Sequence, residues 1–333
     1  MARAAGVSTA VVSYVLNDGP RPVAAETRRR VLDAVEATGY RPDGIARALA
    51  SGATHTLGLV LPDIANPFFA ALAHALEDEA SRHGLVFFLG DSAEQRARQH
   101  ELIESFVGRR VDGLVIVGVD EELDLSPARR AGLPVVVLDR ILGEPDVGAV
   151  GIDNRAAAAL ATEHLLHHGR RRIGLVTGPE DLPTAAARAD GWREALTAAG
   201  LAPAEDLTRH SRFDRHGGYR AGRSLLGVKT PPDAVFVASE QQAFGLLRAA
   251  HEAGVSIPDD VAVVAVDGTE AAEYSVPSLT TVTQRFDELA ARAIELIQHP
   301  AAESRTAVCN FDLVPRRSCG CPEPRDPERE PTS

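Results

Sequence analysis

The stretch Ala4-Ala5-Gly6-Val7-Ser8-Thr9-Ala10-Val11-Val12-Ser13-Tyr14-Val15-Leu16-Asn17 reads as the end of one helix, a tight turn and a second helix. Gly6 stands where the first helix must stop and where φ > 0 costs no steric strain. Ser8 is an N-cap, because its hydroxyl accepts from the freed amides of the next turn. The second helix is expected to bury Val11, Val12, Val15 and Leu16 and to present Thr9, Ala10, Ser13 and Tyr14 on its other side. A short polar face at the start of a helix is what reading base edges in a major groove requires. A third helix follows over about 25–38, with Val31, Leu32 and Val35 inward and Gly39 after its end. Tyr40-Arg41-Pro42-Asp43 breaks it, and Ser51-Gly52-Ala53 reads as a flexible joint.

From Thr56 the pattern changes to alternating strands and helices. Leu57-Gly58-Leu59-Val60-Leu61 is a near-continuous apolar run, followed by a helix from about Phe68 and further strands near 85–89, 113–117 and 134–138. The series restarts after Asp153, with strands near 173–176, 209, 234–237 and 261–266 separated by helices. Apolar strands with helical crossovers make a parallel sheet covered on both faces. The expected architecture is α/β: an N-terminal helix-turn-helix head plus a two-lobed periplasmic-binding-protein-like body of doubly wound sheets. The expected boundaries are 1–41 for the head, 42–54 for a hinge helix and linker, and 55–316 for the body. One lobe takes about 55–153 and 284–305, and the other about 154–281 and 306–316. Residues 317–333 are expected to be a disordered tail.

Composition narrows the function. At 333 residues, 44% hydrophobic and 25% charged, the chain is of ordinary globular type with room for two or three domains. No apolar run approaches the ~20 residues needed to cross a bilayer, and no signal segment opens the chain, so a cytoplasmic location is the default expectation. Three cysteines do not form a disulfide framework. The net charge of −12 is uneven: over residues 1–60 seven arginines face five carboxylates, giving +2 and leaving −14 for the rest. A weakly basic head on an acidic body suits local phosphate contact. No phosphate loop with Lys, Gly-x-Ser-x-Gly elbow or His-Glu-x-x-His is present, so no enzyme and no cofactor is expected. His164 and His168 share a helix face as a metal pair does, but no third ligand is near in sequence. Their position at the helix's negative end accounts for them. Cys319-Gly320-Cys321, in the expected loose tail, is only a weak metal signal, and no metal is expected.

Head, hinge and two-lobed body resemble the LacI/GalR family of bacterial transcriptional repressors over roughly Ala2 to Cys319. The resemblance rests on Ala2-Arg3-Ala4-Ala5-Gly6-Val7-Ser8, Val12-Ser13-Tyr14-Val15-Leu16-Asn17, Gly39-Tyr40-Arg41-Pro42, Ile64-Ala65-Asn66-Pro67-Phe68-Phe69, Val137-Leu138-Asp139-Arg140, Ala187-Arg188-Ala189-Asp190-Gly191-Trp192 and Val276-Pro277-Ser278-Leu279-Thr280-Thr281-Val282, in this order. It implies a homodimer on a near-palindromic double-stranded DNA operator, with Ser8, Thr9, Ala10, Ser13, Tyr14, Asn17 and Arg47 at the DNA and Leu49 wedged into the minor groove. It also implies a small-molecule effector, most simply a sugar, between the lobes. The matching positions are Asn66, Phe68, Phe69, Asp139, Arg188, Phe213, Glu240, Asp267 and Gln284. Carboxylates and a guanidinium bind vicinal hydroxyls in pairs, and aromatic rings stack on an apolar ring face. The competing reading is a solute-binding protein with a non-functional head. The chain departs from the family at Met1, which stands where the family's first helix is already under way, so the first helix is expected to lack its opening turn and cap. It departs again at Ala24, an uncapped helix start, and at Gly44 in the hinge. The absence of a leucine-rich heptad tail points to a dimer rather than a tetramer.

Overall fold

The computed structural model describes residues 1–16, 21–40, 52–119, 123–139, 146–203, 205–301 and 304–322. The chain divides into two units, Met1–Thr54 and His55–Ser333.

The first unit holds α1 (Ala2–Ala5), α2 (Thr9–Leu16) and α3 (Ala25–Thr38). Gly6 has φ 64° and closes α1 through its amide, which donates to Ala2 and Arg3 carbonyls. Ser8 caps α2, its Oγ accepting from Val11 N–H at 3.4 Å. Ala24 opens α3 without a side-chain cap, and Gly39 ends it at φ 59°. The small core is Ala5, Val12, Val15, Val31 and Ala34, with Val7, Leu16 and Val23 packed against it. The expectation for α3 is corrected at one position: Leu32 is 47% exposed. Successive residues of a helix are ~100° apart, so the face that buries Val31 and Ala34 turns Leu32 outward.

The second unit contains two six-stranded sheets. Sheet one comprises β1 (Thr56–Leu61), β2 (Val86–Asp91), β3 (Gly113–Val117), β4 (Val135–Leu138), β5 (Gly148–Ile152) and β11 (Thr306–Cys309), in the order β11-β5-β4-β3-β1-β2. Sheet two comprises β6 (Ile173–Thr177), β7 (Thr208–His210), β8 (Ala234–Val237), β9 (Ala262–Asp267), β10 (Thr280–Gln284) and β12 (Phe311–Val314), in the order β12-β10-β9-β8-β6-β7. All neighbours are parallel except β10 and β12. The helices are α4 (Pro67–Arg82), α5 (Arg96–Gly108), α6 (Ser126–Arg130), α7 (Asn154–His167), α8 (Pro183–Ala198), α9 (Arg215–Leu226), α10 (Glu240–Ala253) and α11 (Phe286–Gln298). Every residue of β3, β4, β8 and β9 is buried, as covering both faces of a sheet demands.

The lobe boundaries differ from expectation near the C-terminus. β11 pairs with β5 in sheet one, from Thr306 opposite Ala149 to Cys309 opposite Ile152, so 306–309 belongs to the first lobe. β12 follows after Asn310 alone and joins sheet two, and β10 extends there as far as Gln284. Both short strands are chosen by partners far away in sequence. The expectation of disorder from 317 onward is also corrected. Arg317–Cys319 forms a 3-10 turn with Ser318 and Cys319 buried. Ser318 N–H donates to Ser278 O at 2.9 Å, and its Oγ donates to Val263 O at 2.6 Å. These bonds order 317–322; residues 323–333 lie outside the described residues.

Candidate functional site

A cavity of about 310 Å³ opens between the two sheets of the second unit. Its walls are loops at the carboxyl ends of parallel strands, the place where doubly wound sheets bind ligands. From sheet one come Asn66 and Phe69 at the start of α4, Val117–Val119 after β3, and Asp139 after β4. From sheet two come Asp181, Leu182 and Thr184 at the start of α8, and Arg212 and Phe213 before α9.

Local sequence places these groups. Asn66 caps α4, its Oδ1 accepting from Phe68 N–H at 3.0 Å, and Pro67 supplies the N1 residue. The helix phase then separates two adjacent aromatics: Phe69 lines the cavity, whereas Phe68 is 5% exposed and packs on Phe286, centroids 5.5 Å apart. Phe68 is therefore core, which corrects its expected place at the ligand. Asp139 has φ 64° at the end of β4, a conformation that Asp tolerates better than most residues. Phe213 stands over the guanidinium of Arg188, 6.0 Å from Cζ to the ring centre. Gln242 Nε2 holds the preceding loop by donating to Thr177 O (2.8 Å) and Ser211 Oγ (2.9 Å).

Arg188, Asp267 and Glu240 sit outside the cavity lining, in a buried polar cluster beyond Phe213. Arg188 donates through Nε to Asn154 Oδ1 at 2.7 Å and through a terminal nitrogen to Ala238 O, and lies 3.9 Å from Asp267 Oδ1. It thus has a structural role that its sequence neighbourhood does not announce. Asp267 has φ 122° at the end of β9, and its Oδ2 accepts from Glu240 N–H at 3.0 Å. Burial pushes its carboxyl up to about 7; Arg188 opposes this and the Glu240 charge adds to it. Glu240, expected at the ligand, is instead engaged by Thr269: its carboxylate accepts from Thr269 N–H (2.8 Å) and Thr269 Oγ1. Burial raises its pKa, and the Thr269 hydrogen bonds lower it. Gln284 is buried on β10 and is not part of the cavity wall.

Sequence reasoning missed Glu94, Asp181, Thr184 and Arg212. Pro183, at the N1 position of α8, was a usable signal for Asp181 and Thr184. Glu94 and Arg212 carry no local signal. They meet across the cleft as an ion pair, 118 positions apart in the chain. The histidine pair and Cys319-Gly320-Cys321 each stand out in the sequence, but not their meeting: Cys319 and Cys321 lie against His164 and His168, so the expectation of a histidine pair without further ligands does not hold.

In the first unit, Thr9, Ala10 and Ser13 are exposed on α2 and Tyr14 is half-buried, opposite the buried Val12 and Val15. Ser8 is exposed in the turn. Arg3, Arg21, Arg29 and Arg30 are exposed in the same unit, and Arg28 donates to Val15 O at the end of α2. Asn17, Arg47 and Leu49 lie outside the described residues.

A helix-turn-helix with a polar reading face, and a two-lobed body with a ligand cavity at its strand ends, define a DNA-binding transcriptional regulator governed by an effector. Residues 1–43 match the bacterial regulatory proteins of the lacI family, and residues 162–319 match the periplasmic binding protein-like domain. The chain is 32% identical over 299 residues to catabolite control protein A of Priestia megaterium, covering 89% of this chain and 90% of that protein. It is 31% identical over 314 residues to the HTH-type transcriptional repressor CytR of Escherichia coli (strain K12), covering 92% of each. Among solved structures, a transcriptional regulator CelR–cellobiose complex superposes with a TM-score of 0.73 at 31% identity, over 95% of this chain and 98% of that one. A LacI family transcriptional regulator from Enterococcus faecium with bound ribose gives 0.71 at 30% identity, over 81% and 100%. The chain belongs to the lacI family of bacterial regulatory proteins. Its relatives are transcriptional regulators rather than enzymes, and no helix among the described residues is long and apolar enough to cross a membrane.

Proposed function

We propose that this regulator is a homodimeric repressor whose effector is a neutral sugar held in the cleft cavity. The observation that carries this reading is the cavity wall: two rings, Phe69 and Phe213, come from opposite lobes beside Asp139, Asp181 and Asn66. Rings suit the apolar face of a pyranose or furanose, and carboxylates and an amide suit its hydroxyls. A volume of about 310 Å³ accommodates a mono- to small disaccharide. The charge balance disfavours a phosphorylated sugar. Among the described residues Arg212 is the one arginine in the lining and is engaged by Glu94, while Asp139 and Asp181 repel an anion. Structural neighbours solved as a cellobiose complex and with bound ribose support the same class.

Response follows from differential affinity. A sugar touching both lobes stabilises the closed cleft, and it changes DNA affinity only to the extent that it prefers one state of the dimer. The Glu94–Arg212 pair acts on the same equilibrium from the rim. The two α2 helices of the dimer would read successive major grooves through Ser8, Thr9, Ala10, Ser13 and Tyr14, aided by Asn17, Arg47 and Leu49. Calorimetric titration with neutral pentoses, hexoses and disaccharides, their phosphates and nucleobases tests the ligand class. A neutral sugar should bind, and Asp139→Asn should weaken it by about tenfold or more, the size of one charged hydrogen bond. Binding of a phosphate or nucleobase with no neutral sugar bound would refute the proposal.

A further inference from the structure

We infer that His164, His168, Cys319 and Cys321 form a closed structural zinc site on the second lobe. His164 and His168 stand one turn apart at the C-terminal end of α7, ring centres 4.7 Å apart. The last described turn of the chain comes to that face. Cys319 and Cys321 flank Gly320, whose φ of 102° is open to glycine and strained for other residues. That reversal brings both thiols to the histidines. Cys319 Sγ lies 3.2 Å from His164 Nε2, and Cys321 Sγ lies 3.2 Å from His168 Nε2 and 3.9 Å from His164 Nε2. All four donor atoms fall within 4.8 Å of one another.

These separations match a metal polyhedron. With Zn–N of about 2.05 Å and Zn–S of about 2.3 Å, tetrahedral geometry puts neighbouring N and S about 3.6 Å apart. The three sulfur–nitrogen distances bracket that value. Thiol–imidazole hydrogen bonds account for each 3.2 Å contact taken singly, but not for four ligand atoms gathered within 4.8 Å of one another. Two imidazoles and two thiols select zinc over magnesium or calcium, which take oxygen ligands. Four protein donors leave no open position, so the role is structural. Binding converts both thiols to thiolates and releases two protons, with no change in oxidation state.

The protein positions these ligands without help from the metal. Ser318 is locked to Ser278, Thr280 and Val263, and Gly320 N–H donates to Arg317 O at 3.0 Å. Cys319 is itself part of the second-lobe core with Trp192 and Leu165. Zinc would pin the segment that follows the final strand onto α7, on residues distinct from those of the effector cavity.

The test uses the full chain, purified under reducing conditions without chelators, with metal content measured by plasma mass spectrometry and Co²⁺ titrated into the chelator-stripped protein. The account expects about one zinc per chain and a thiolate-to-cobalt charge-transfer band of tetrahedral type. Cys321→Ser and His168→Ala should each weaken zinc binding by more than about 100-fold, exceeding the usual loss from an outer-shell change. His167→Ala, an exposed neighbour on the same helix, should leave it unchanged. A reduced chain that takes up neither zinc nor cobalt would overturn the assignment. So would metal that persists undiminished in both ligand variants.

Discussion

Gly178→Ala tests the cleft wall with a single methyl group. Gly178 follows β6, and a Cβ there would fall 2.3 Å from Phe213 Cζ, 2.7 Å from Phe213 Cε2 and 2.9 Å from Ala185 Cβ. Ordinary carbon contacts lie near 3.5–4.0 Å, so the Phe213 ring must move by about 1.3 Å. Ala185 on α8 closes one direction, whereas Phe213 borders the cavity on its open side. The ring should therefore be driven into the ligand space. Overpacking of this kind costs about 1–3 kcal/mol, which, where it falls on the ligand-bound state, corresponds to about 5- to 150-fold weaker sugar binding. Calorimetry on wild type and G178A reads that loss. Urea unfolding of G178A, Phe213→Leu and the double variant reads the contact without any ligand. Trimming the ring should relieve the clash, with a coupling of about 1 kcal/mol or more. Unchanged sugar affinity in G178A, together with additive stabilities, would refute the assignment of Phe213 to the cavity wall.

Other outcomes follow from contacts elsewhere. Gly191→Ala places a Cβ 2.0 Å from Arg155 O, where α7 and α8 touch backbone to backbone. Neither helix can yield cheaply, and chemical denaturation should show a loss of about 3 kcal/mol or more; an unchanged midpoint would contradict the close approach. Asp267, with its carboxyl raised to about 7, keeps its proton in the folded state over a range where the unfolded chain has lost it. Its contribution to stability is full below about pH 4 and is lost as pH rises through about 7. Relative to wild type, Asp267→Asn should gain about 2 kcal/mol between pH 5 and 7, and parallel stability curves would show that the site does not titrate there. Glu94→Gln removes the exposed pair with Arg212, so sugar affinity should fall by no more than about fivefold and the difference should fade in high salt. A large, salt-insensitive loss would mean that Glu94 contacts the sugar directly.

The legible parts of this molecule are those in which one segment determines its own structure. Apolar runs such as Leu57–Leu61 announce buried parallel strands, and Gly6 and Ser8 announce the turn before α2. Asn66-Pro67 marks the start of α4, yet assigning Phe68 to the core and Phe69 to the cleft needs the helix phase relative to the sheet. The buried polar cluster around Arg188 was not legible because its partners, Asn154, Ala238 and Asp267, are 34 or more positions away. The same holds for β11, whose residues carry no sign of whether β5 or sheet two will claim them. Cys319 and Cys321 lie about 155 positions from the histidines they approach, so composition suggested a loose tail where tertiary contacts build an ordered turn.

The most direct test of the account is fluorescence anisotropy of the full chain on DNA from the promoter region adjoining its gene, with and without the sugar panel, across a salt series. The account predicts tight binding whose logarithm falls linearly with log[salt], as release of counterions from several phosphates requires, and one neutral sugar that shifts the affinity by about fivefold or more. Sugar binding with no effect on DNA affinity, or no salt-dependent DNA binding at all, would contradict the claim that the head and the cleft belong to one switch.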